Sequence, residues 1–343
     1  MRTVAAILVA QGQPLEVEEV ELPALGPGQV LVEIQATRIC GSQLGEIDGA
    51  KGPDRHLPHL LGHEAGAVVR EVGPGVRHVA PGDTVVAHWR PGRGIDAAGS
   101  VYRRGGQAVN AGNITTFQRL SVVSENRLTP VPAGTDFETC ALLADTLTTG
   151  FGIVNRDAGV RIGESVVVIG CGGIGLGVVL GARLAGAHPV VAVDLHGHKL
   201  RQAAAAGATH TIGPEAGDFA AEARRVLGGP ADVVVDATGN PAVLERAFHL
   251  ASAEGRCIGL GVMRHDQRLS VNTLPLHLGR VLRGSHGGDS RPAEDIPRYL
   301  RMLRDGRFDV RGFVSHRLPL EQINDGIARL RAGEVVHAMV RFP

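Results

Sequence analysis

Residues 165–194 constrain the fold of this chain more than any other stretch. A β-branched run, Ser165-Val-Val-Val-Ile, ends in Gly170, Gly172 and Gly175, the G-x-G-x-x-G spacing. A helical pattern follows, and a second apolar run, Pro189-Val-Val-Ala-Val, closes on Asp194. Each part has a physical task in holding a dinucleotide. The first glycine permits the tight strand-to-helix turn, the second lets the backbone approach a pyrophosphate, and the third lets helix and strand pack closely. The helix N-terminus offers free N–H groups and partial positive charge to the phosphates. Asp194 would accept hydrogen bonds from the adenosine ribose, and its charge repels a 2′-phosphate, which favours NAD over NADP. A glycine turn alone is weak evidence. The strand before it, the helix after it and the acid beyond it make Gly170, Gly172, Gly173, Ile174, Gly175 and Asp194 a candidate cofactor site.

A length of 343 residues leaves room for about two domains. Lys plus Arg and Asp plus Glu both number 35, so the chain has no net charge. That balance argues against nucleic acid or an anionic membrane surface as the main partner. No apolar run reaches the length of a membrane span. The first ten residues have the apolarity of a signal peptide, but Gln11, Gln13 and Glu16 follow at once, and the stretch reads as a first strand. Cys40, Cys140, Cys171 and Cys257 form no C-x-x-C pair, the usage expected of a reduced, cytoplasmic protein.

Residues 1–90 read as short strands broken by turns such as Gly26-Pro-Gly28 and Pro81-Gly-Asp83, which predicts a partly open barrel of antiparallel strands. Residues 90–112 are basic, Gly-rich and without strong periodicity, and read as a long functional or mobile loop. Strand-like sequence resumes at 115–131, and Thr135 or Asp136 could cap a helix running through Cys140, Asp145 and Thr149. From 150 to 288 the pattern is repeated β-α, with strands at 165–170, 190–194, 209–212, 232–236, 256–260 and 281–284 and helices such as 199–206 and 219–227. This is a doubly wound parallel sheet. Helices near 296–304 and 320–332 and a last strand at 335–341 are expected to return to the first domain. The expected division is 1–149 with 289–343 for one domain and 150–288 for the other.

Cys40, His63 and Asp145 stand out as a thiolate, an imidazole and a carboxylate, a set suited to zinc with one position left open. Taken singly they read as a core thiol, an ambiguous histidine and a surface acid. Spacing alone does not join them. Here a resemblance becomes specific. Ile39-Cys40-Gly41-Ser42, then Gly62-His63-Glu64-Ala-Gly66 running on to Gly82-Asp83, then Asp145 to Gly150 and the glycine turn, resemble a zinc-dependent alcohol dehydrogenase of the medium-chain dehydrogenase/reductase superfamily. The likeness spans the whole chain in the family's order.

The resemblance implies a GroES-like β-barrel catalytic domain beside a Rossmann NAD-binding domain. It implies one catalytic zinc on Cys40, His63 and Asp145, with Glu64 behind the metal and able to join it. Zinc would lower the pKa of a bound alcohol, and the alkoxide would pass hydride to the nicotinamide. Ser42 would take the alcohol proton; its other reading is a helix cap. Thr149 matches a hydroxyl near the nicotinamide, Lys199 a lysine near the adenosine ribose, and His337 a phosphate-binding position. Trp89 matches a position lining the substrate pocket. With His88, Arg90 and the Arg-rich loop, it hints at a hydroxylated substrate such as a polyol, sugar or cyclitol. His56 and His59 could line the same cleft or be plain loop residues. A homodimer or homotetramer is implied by analogy.

Three departures from that pattern matter. The loop 90–112 has none of the cysteines that hold a structural zinc in many relatives, so no second zinc is expected. Gly45 stands where a proton-relaying histidine is common, which leaves the cofactor ribose or Glu46 as routes for the proton. Gln43 replaces an acid beside the metal, which would leave the zinc a stronger Lewis acid. Two rival readings are a metal-free, NADPH-dependent reductase of the same superfamily and a non-catalytic nucleotide-binding sensor.

Overall fold

The computed structural model describes all residues 1–343. The chain forms two compact units, Met1–Asp145 with Arg291–Pro343, and Thr146–Ser290. No helix is long and apolar enough to cross a membrane.

In the second unit six strands lie in the order His210–Ile212, Val190–Val193, Val166–Ile169, Ala231–Asp236, Ala251–Gly259, Val281–Gly284. Every neighbouring pair is parallel. The first strand in sequence is central, so the order reverses beside it, where a doubly wound sheet opens its ligand crevice. The inner strands are runs of Val, Ile and Ala because helices cover both faces and leave no polar side. Asp218 and Asn240 start the helices Phe219–Leu227 and Pro241–Leu250 by accepting the free backbone N–H groups of the first turn. One expected strand begins five residues early, at Ala251, through a bulge that breaks the register between Ala231 and Val233.

The first unit carries a seven-stranded sheet and a barrel. The sheet runs Leu128–Val131, Thr84–His88, Glu64–Val72, Gln29–Ile39, Ala338–Arg341, His316–Leu318, with Leu120–Ser124 also on Gln29–Ile39. Its apolar side chains pack with the helix Ile323–Arg331 into one core. The barrel closes through Arg2–Leu8, Glu16–Glu21, Val101–Arg104, Gln107–Asn110 and His59–Leu60. The sequence reading needs two corrections here. The barrel is closed rather than partly open, and one of its pairs, His59–Leu60 with Gln107–Asn110, is parallel. The stretch 90–112 is also no plain loop, since it supplies the hairpin that closes the barrel. Its strands are four residues each and bury only Tyr102 and Val109, too short for an alternation to register.

The helix expected near Asp145 is segmented. Asp136 caps Phe137–Leu142, a π-helical turn spans Leu143–Leu147, and α-helix resumes at Thr148–Gly152.

Candidate functional site

The four donor residues come from three elements. Cys40 directly follows the strand Gln29–Ile39, and strand alternation puts it on the same side as Arg38. Glu64 opens the strand Glu64–Val72, which pairs antiparallel with Gln29–Ile39 and so returns His63 and Glu64 beside Cys40. Asp145 arrives on the π-helical turn, an irregularity frequent at functional sites. Gly66 makes that approach possible, because a Cβ there would stand 2.4 Å from the carbonyl oxygen of Phe137. Any side chain would push the helix, and with it Asp145, off the sheet.

One ligand atom from each of Cys40, His63, Glu64 and Asp145 lies within 4.8 Å of the others. Asp145 Oδ2 is 3.8 Å from Cys40 Sγ and 3.6 Å from His63 Nε2. Donors on a tetrahedral zinc stand about 3.5 Å apart, given bonds of about 2.0 and 2.3 Å. The spacing therefore fits such an ion with little movement. Arg38 is buried and sets Nη2 2.8 Å from Glu64 Oε1 and 3.7 Å from Asp145 Oδ2. That contact is close but poorly aligned, and both Glu64 oxygens have no hydrogen bond while cut off from water. Spare buried carboxylate lone pairs are costly unless a cation takes them.

The thiols separate in the same way. All four cysteines are buried and free. Burial pushes Cys140 and Cys257 up to about 12. Burial also opposes ionisation of Cys40, but the Arg38 guanidinium and His63 outweigh it and bring this thiol down to about 7. Cys40 alone is ready to act as a thiolate ligand.

Three side chains hold the donors. The Trp89 indole N–H donates to Asp145 Oδ1 at 2.9 Å. Gln43, fully buried, accepts the Cys40 N–H on Oε1 at 2.6 Å and meets His63 Nδ1 with Nε2 at 2.5 Å. Arg38 was not singled out from the sequence. Its signal was there: a charged residue two positions before a candidate ligand on one strand faces the same way as that ligand.

In the second unit Gly170 takes a positive φ of 89°, and a Cβ on Gly175 would meet the Gly170 carbonyl oxygen at 2.0 Å. Around Gly172 there is open space where a ligand could approach. The helix Gly173–Leu184 begins at that space with its N–H groups. Asp194 accepts from Cys171 N–H at 2.8 Å and His196 N–H at 2.9 Å, which fixes its carboxylate beside the turn.

The remaining candidates are distributed as follows. Ser42 is exposed on the first turn of the helix Gly41–Ile47 and does not cap it; the cap position is Cys40. Thr149 is buried on the helix Thr148–Gly152 and Lys199 is half-buried. His337 is fully buried, stacked on Phe313, with neither ring nitrogen hydrogen-bonded. His56 and His59 line a cavity of about 640 Å³ with His63, Gly45, Lys51 and Arg55. Trp89 is not part of that lining.

Four potential metal donors on one point of the first unit, in one chain with a doubly wound parallel sheet that carries the glycine turn, are the parts of a two-domain dehydrogenase. Comparison with known proteins agrees. Residues 26–133 match the alcohol dehydrogenase GroES-like domain, and residues 173–305 match the zinc-binding dehydrogenase family. The chain is 33% identical to an alcohol dehydrogenase class-3 of Cereibacter sphaeroides and to an S-(hydroxymethyl)glutathione dehydrogenase of Paracoccus denitrificans, each over the full length of both chains. Among solved structures, an alcohol dehydrogenase zinc-binding domain protein from Burkholderia ambifaria superposes with a TM-score of 0.91 at 29% identity, covering 100% and 99% of the two chains. The 2R,3R-butanediol dehydrogenase of Bacillus subtilis superposes at 0.80 with 25% identity and full coverage of both. The chain belongs to the zinc-dependent alcohol dehydrogenases of the medium-chain dehydrogenase/reductase superfamily. It is an oxidoreductase, and its family implies zinc and a nicotinamide cofactor.

Proposed function

We propose that the protein is an NAD(H)-linked dehydrogenase that binds a single zinc and interconverts a hydroxyl of a polyol, sugar or cyclitol with its carbonyl. The observation that carries this reading is the convergence of Cys40, His63, Glu64 and Asp145 on one buried point. When bound, zinc polarises the substrate oxygen and the nicotinamide ring exchanges hydride with the substrate carbon.

The chain's own residues do the rest. Cys40, His63 and Asp145 hold the metal, while Trp89 restrains Asp145 and Arg38 lies against Glu64 behind the cluster, where burial pushes the Glu64 carboxyl up to about 8 against the pull of that cation. Ser42 receives the alcohol proton at Oγ. Asp194 binds the adenosine ribose and excludes a 2′-phosphate, Gly170 to Gly175 receive the pyrophosphate, and Thr149 and Lys199 complete the cofactor site. His337, matched to a phosphate-binding position, is fully buried and stacked on Phe313. The polar lining of the cavity beside His63, with Lys51, Asp54, Arg55, His56 and His59, supports a hydroxylated substrate over an aliphatic one. Exposed Leu274, Leu278 and Val281 on and near the edge strand Val281–Gly284 support self-association into a dimer or tetramer.

The test is a panel of polyols and simple alcohols read by NADH absorbance, with NADP as comparison and metal analysis of the same sample. We expect one zinc per chain, NAD preferred, and polyols turned over faster than alkyl alcohols of equal length. Full turnover in zinc-free protein would refute the reading.

A further inference from the structure

We propose that the hydroxylated substrate also carries an anionic group, a carboxylate or a phosphate ester, and that Arg55 recognises it. The inference rests on the reading of the cavity beside His63 as the substrate site.

The cavity of about 640 Å³ is lined within the first unit, and its lining includes two acids, Glu46 and Asp54, and two basic residues, Lys51 and Arg55. Three of these four are paired. Lys51 Nζ stands 3.0 Å from Glu46 Oε1. Asp54 Oδ2 lies 2.8 Å from His59 Nε2, and Asp54 Oδ1 accepts the His56 N–H at 2.8 Å. The Arg55 guanidinium has neither a carboxylate nor a carbonyl oxygen of the chain as partner. Pairing therefore occupies the acids of the lining and leaves one cation over.

The backbone on both sides of that side chain is held. Gln11 Nε2 donates to the Gly52 carbonyl at 3.0 Å, and Gln11 Oε1 accepts the Asp54 N–H at 3.3 Å. Asn110 Nδ2 donates to the His56 carbonyl at 2.7 Å. His59, which holds Asp54, sits in the barrel opposite Asn110. Ordering a loop on binding consumes affinity, and here the backbone that presents Arg55 is ordered by folding.

A guanidinium offers a planar fork of N–H donors that matches two oxygens of a carboxylate or phosphate. A neutral polyol has no charged acceptor to set against it. His63, in the same lining, marks where the reacting hydroxyl belongs, and a cavity of this volume suits a molecule of sugar size. One substrate can thus present a hydroxyl to the metal cluster and an anion to Arg55.

The experiment uses three ligands that share a six-carbon polyol chain: sorbitol, gluconate and sorbitol 6-phosphate. Their binding to the zinc-loaded wild-type protein, Arg55→Gln and Arg55→Lys is measured by calorimetry, and NAD reduction is followed in parallel samples. We expect at least one anion to bind about ten- to a hundredfold more tightly than sorbitol, the scale of charge-assisted hydrogen bonds. Arg55→Gln should abolish that preference without weakening sorbitol, and Arg55→Lys should keep part of it. Whichever anion gains tells carboxylate from phosphate. Sorbitol bound as tightly as both anions, or an anion preference that survives in Arg55→Gln, overturns the inference. If sorbitol is then still oxidised, the dehydrogenase reading stands. An anion preference that needs Arg55, with no NAD reduced by these ligands or by simple alcohols, upholds the anion site and removes the dehydrogenase reading instead.

Discussion

In the cluster around Cys40, both buried oxygens of Glu64 are left without hydrogen bonds, whereas Glu125, a buried carboxylate that the lobe 90–112 packs against, is saturated. Glu125 accepts from Arg77 N–H and His78 N–H on one oxygen, at 2.7 and 2.6 Å, and from Ile95 N–H on the other, at 2.7 Å. Ser124 Oγ takes Ala97 N–H, and the buried Tyr102 hydroxyl takes Val122 N–H. This lobe lacks the cysteines with which many relatives bind a structural zinc, and it is tied down instead by Ile95 N–H on Glu125, Ala97 N–H on Ser124 and the Tyr102 hydroxyl on Val122 N–H. Both regions bury negative charge. The lobe neutralises it with fixed peptide dipoles and leaves no ligand free, while the cluster keeps donors in reserve. The difference separates a site built to be stable from one built to receive a cation.

The largest effect should come from the cluster. Cys40→Ser or His63→Ala should remove zinc and lower turnover about a thousandfold or more, since a Lewis acid supplies several kcal/mol of transition-state stabilisation. Urea unfolding should change far less. A variant that kept its zinc and lost the lobe instead would reverse the comparison.

Next comes Glu125. Truncation in Glu125→Ala strands three donors and should cost about 3 kcal/mol or more in urea unfolding, with zinc content unchanged. Burial opposes ionisation of this carboxyl, but the three N–H groups prevail and hold it below the ordinary range. Its stabilisation is therefore complete above the ordinary value of 4.5 and lost as pH falls through the lower folded value. An acid limb equally steep in Glu125→Gln would show that other groups carry it.

The smallest effect should follow Trp89→Phe. Loss of the indole N–H removes one hydrogen bond from Asp145 Oδ1, and zinc affinity should drop about tenfold. Chelator competition measures this. An unchanged affinity would mean that packing, not the hydrogen bond, holds Asp145.

Much of the second unit was legible because its signals are local. The helix Phe219–Leu227 and the strand Val281–Gly284 have the bounds that periodicity predicts. The candidate metal ligands could be named together only through resemblance, and the side chains that hold them were harder still. Arg38 and the indole contact of Trp89 depend on residues 26 and 56 positions away, from 38 to 64 and from 89 to 145. Trp89, expected to line the substrate pocket, hydrogen-bonds Asp145, a contact that no local pattern announces. The hairpin in 90–112 was missed because its two buried side chains, Tyr102 and Val109, are too few for a pattern.

By itself the sequence determined the parallel sheet, the glycine turn and the acid beyond it, because strand alternation, helical period and turn chemistry are written within a few neighbouring residues. Only the tertiary structure decided that four distant donors share one point, that the barrel closes, and that the Gln43 amide bridges Cys40 and His63. Those outcomes depend on which surfaces pack together and which buried groups are left to pair, and no short window of sequence contains both partners.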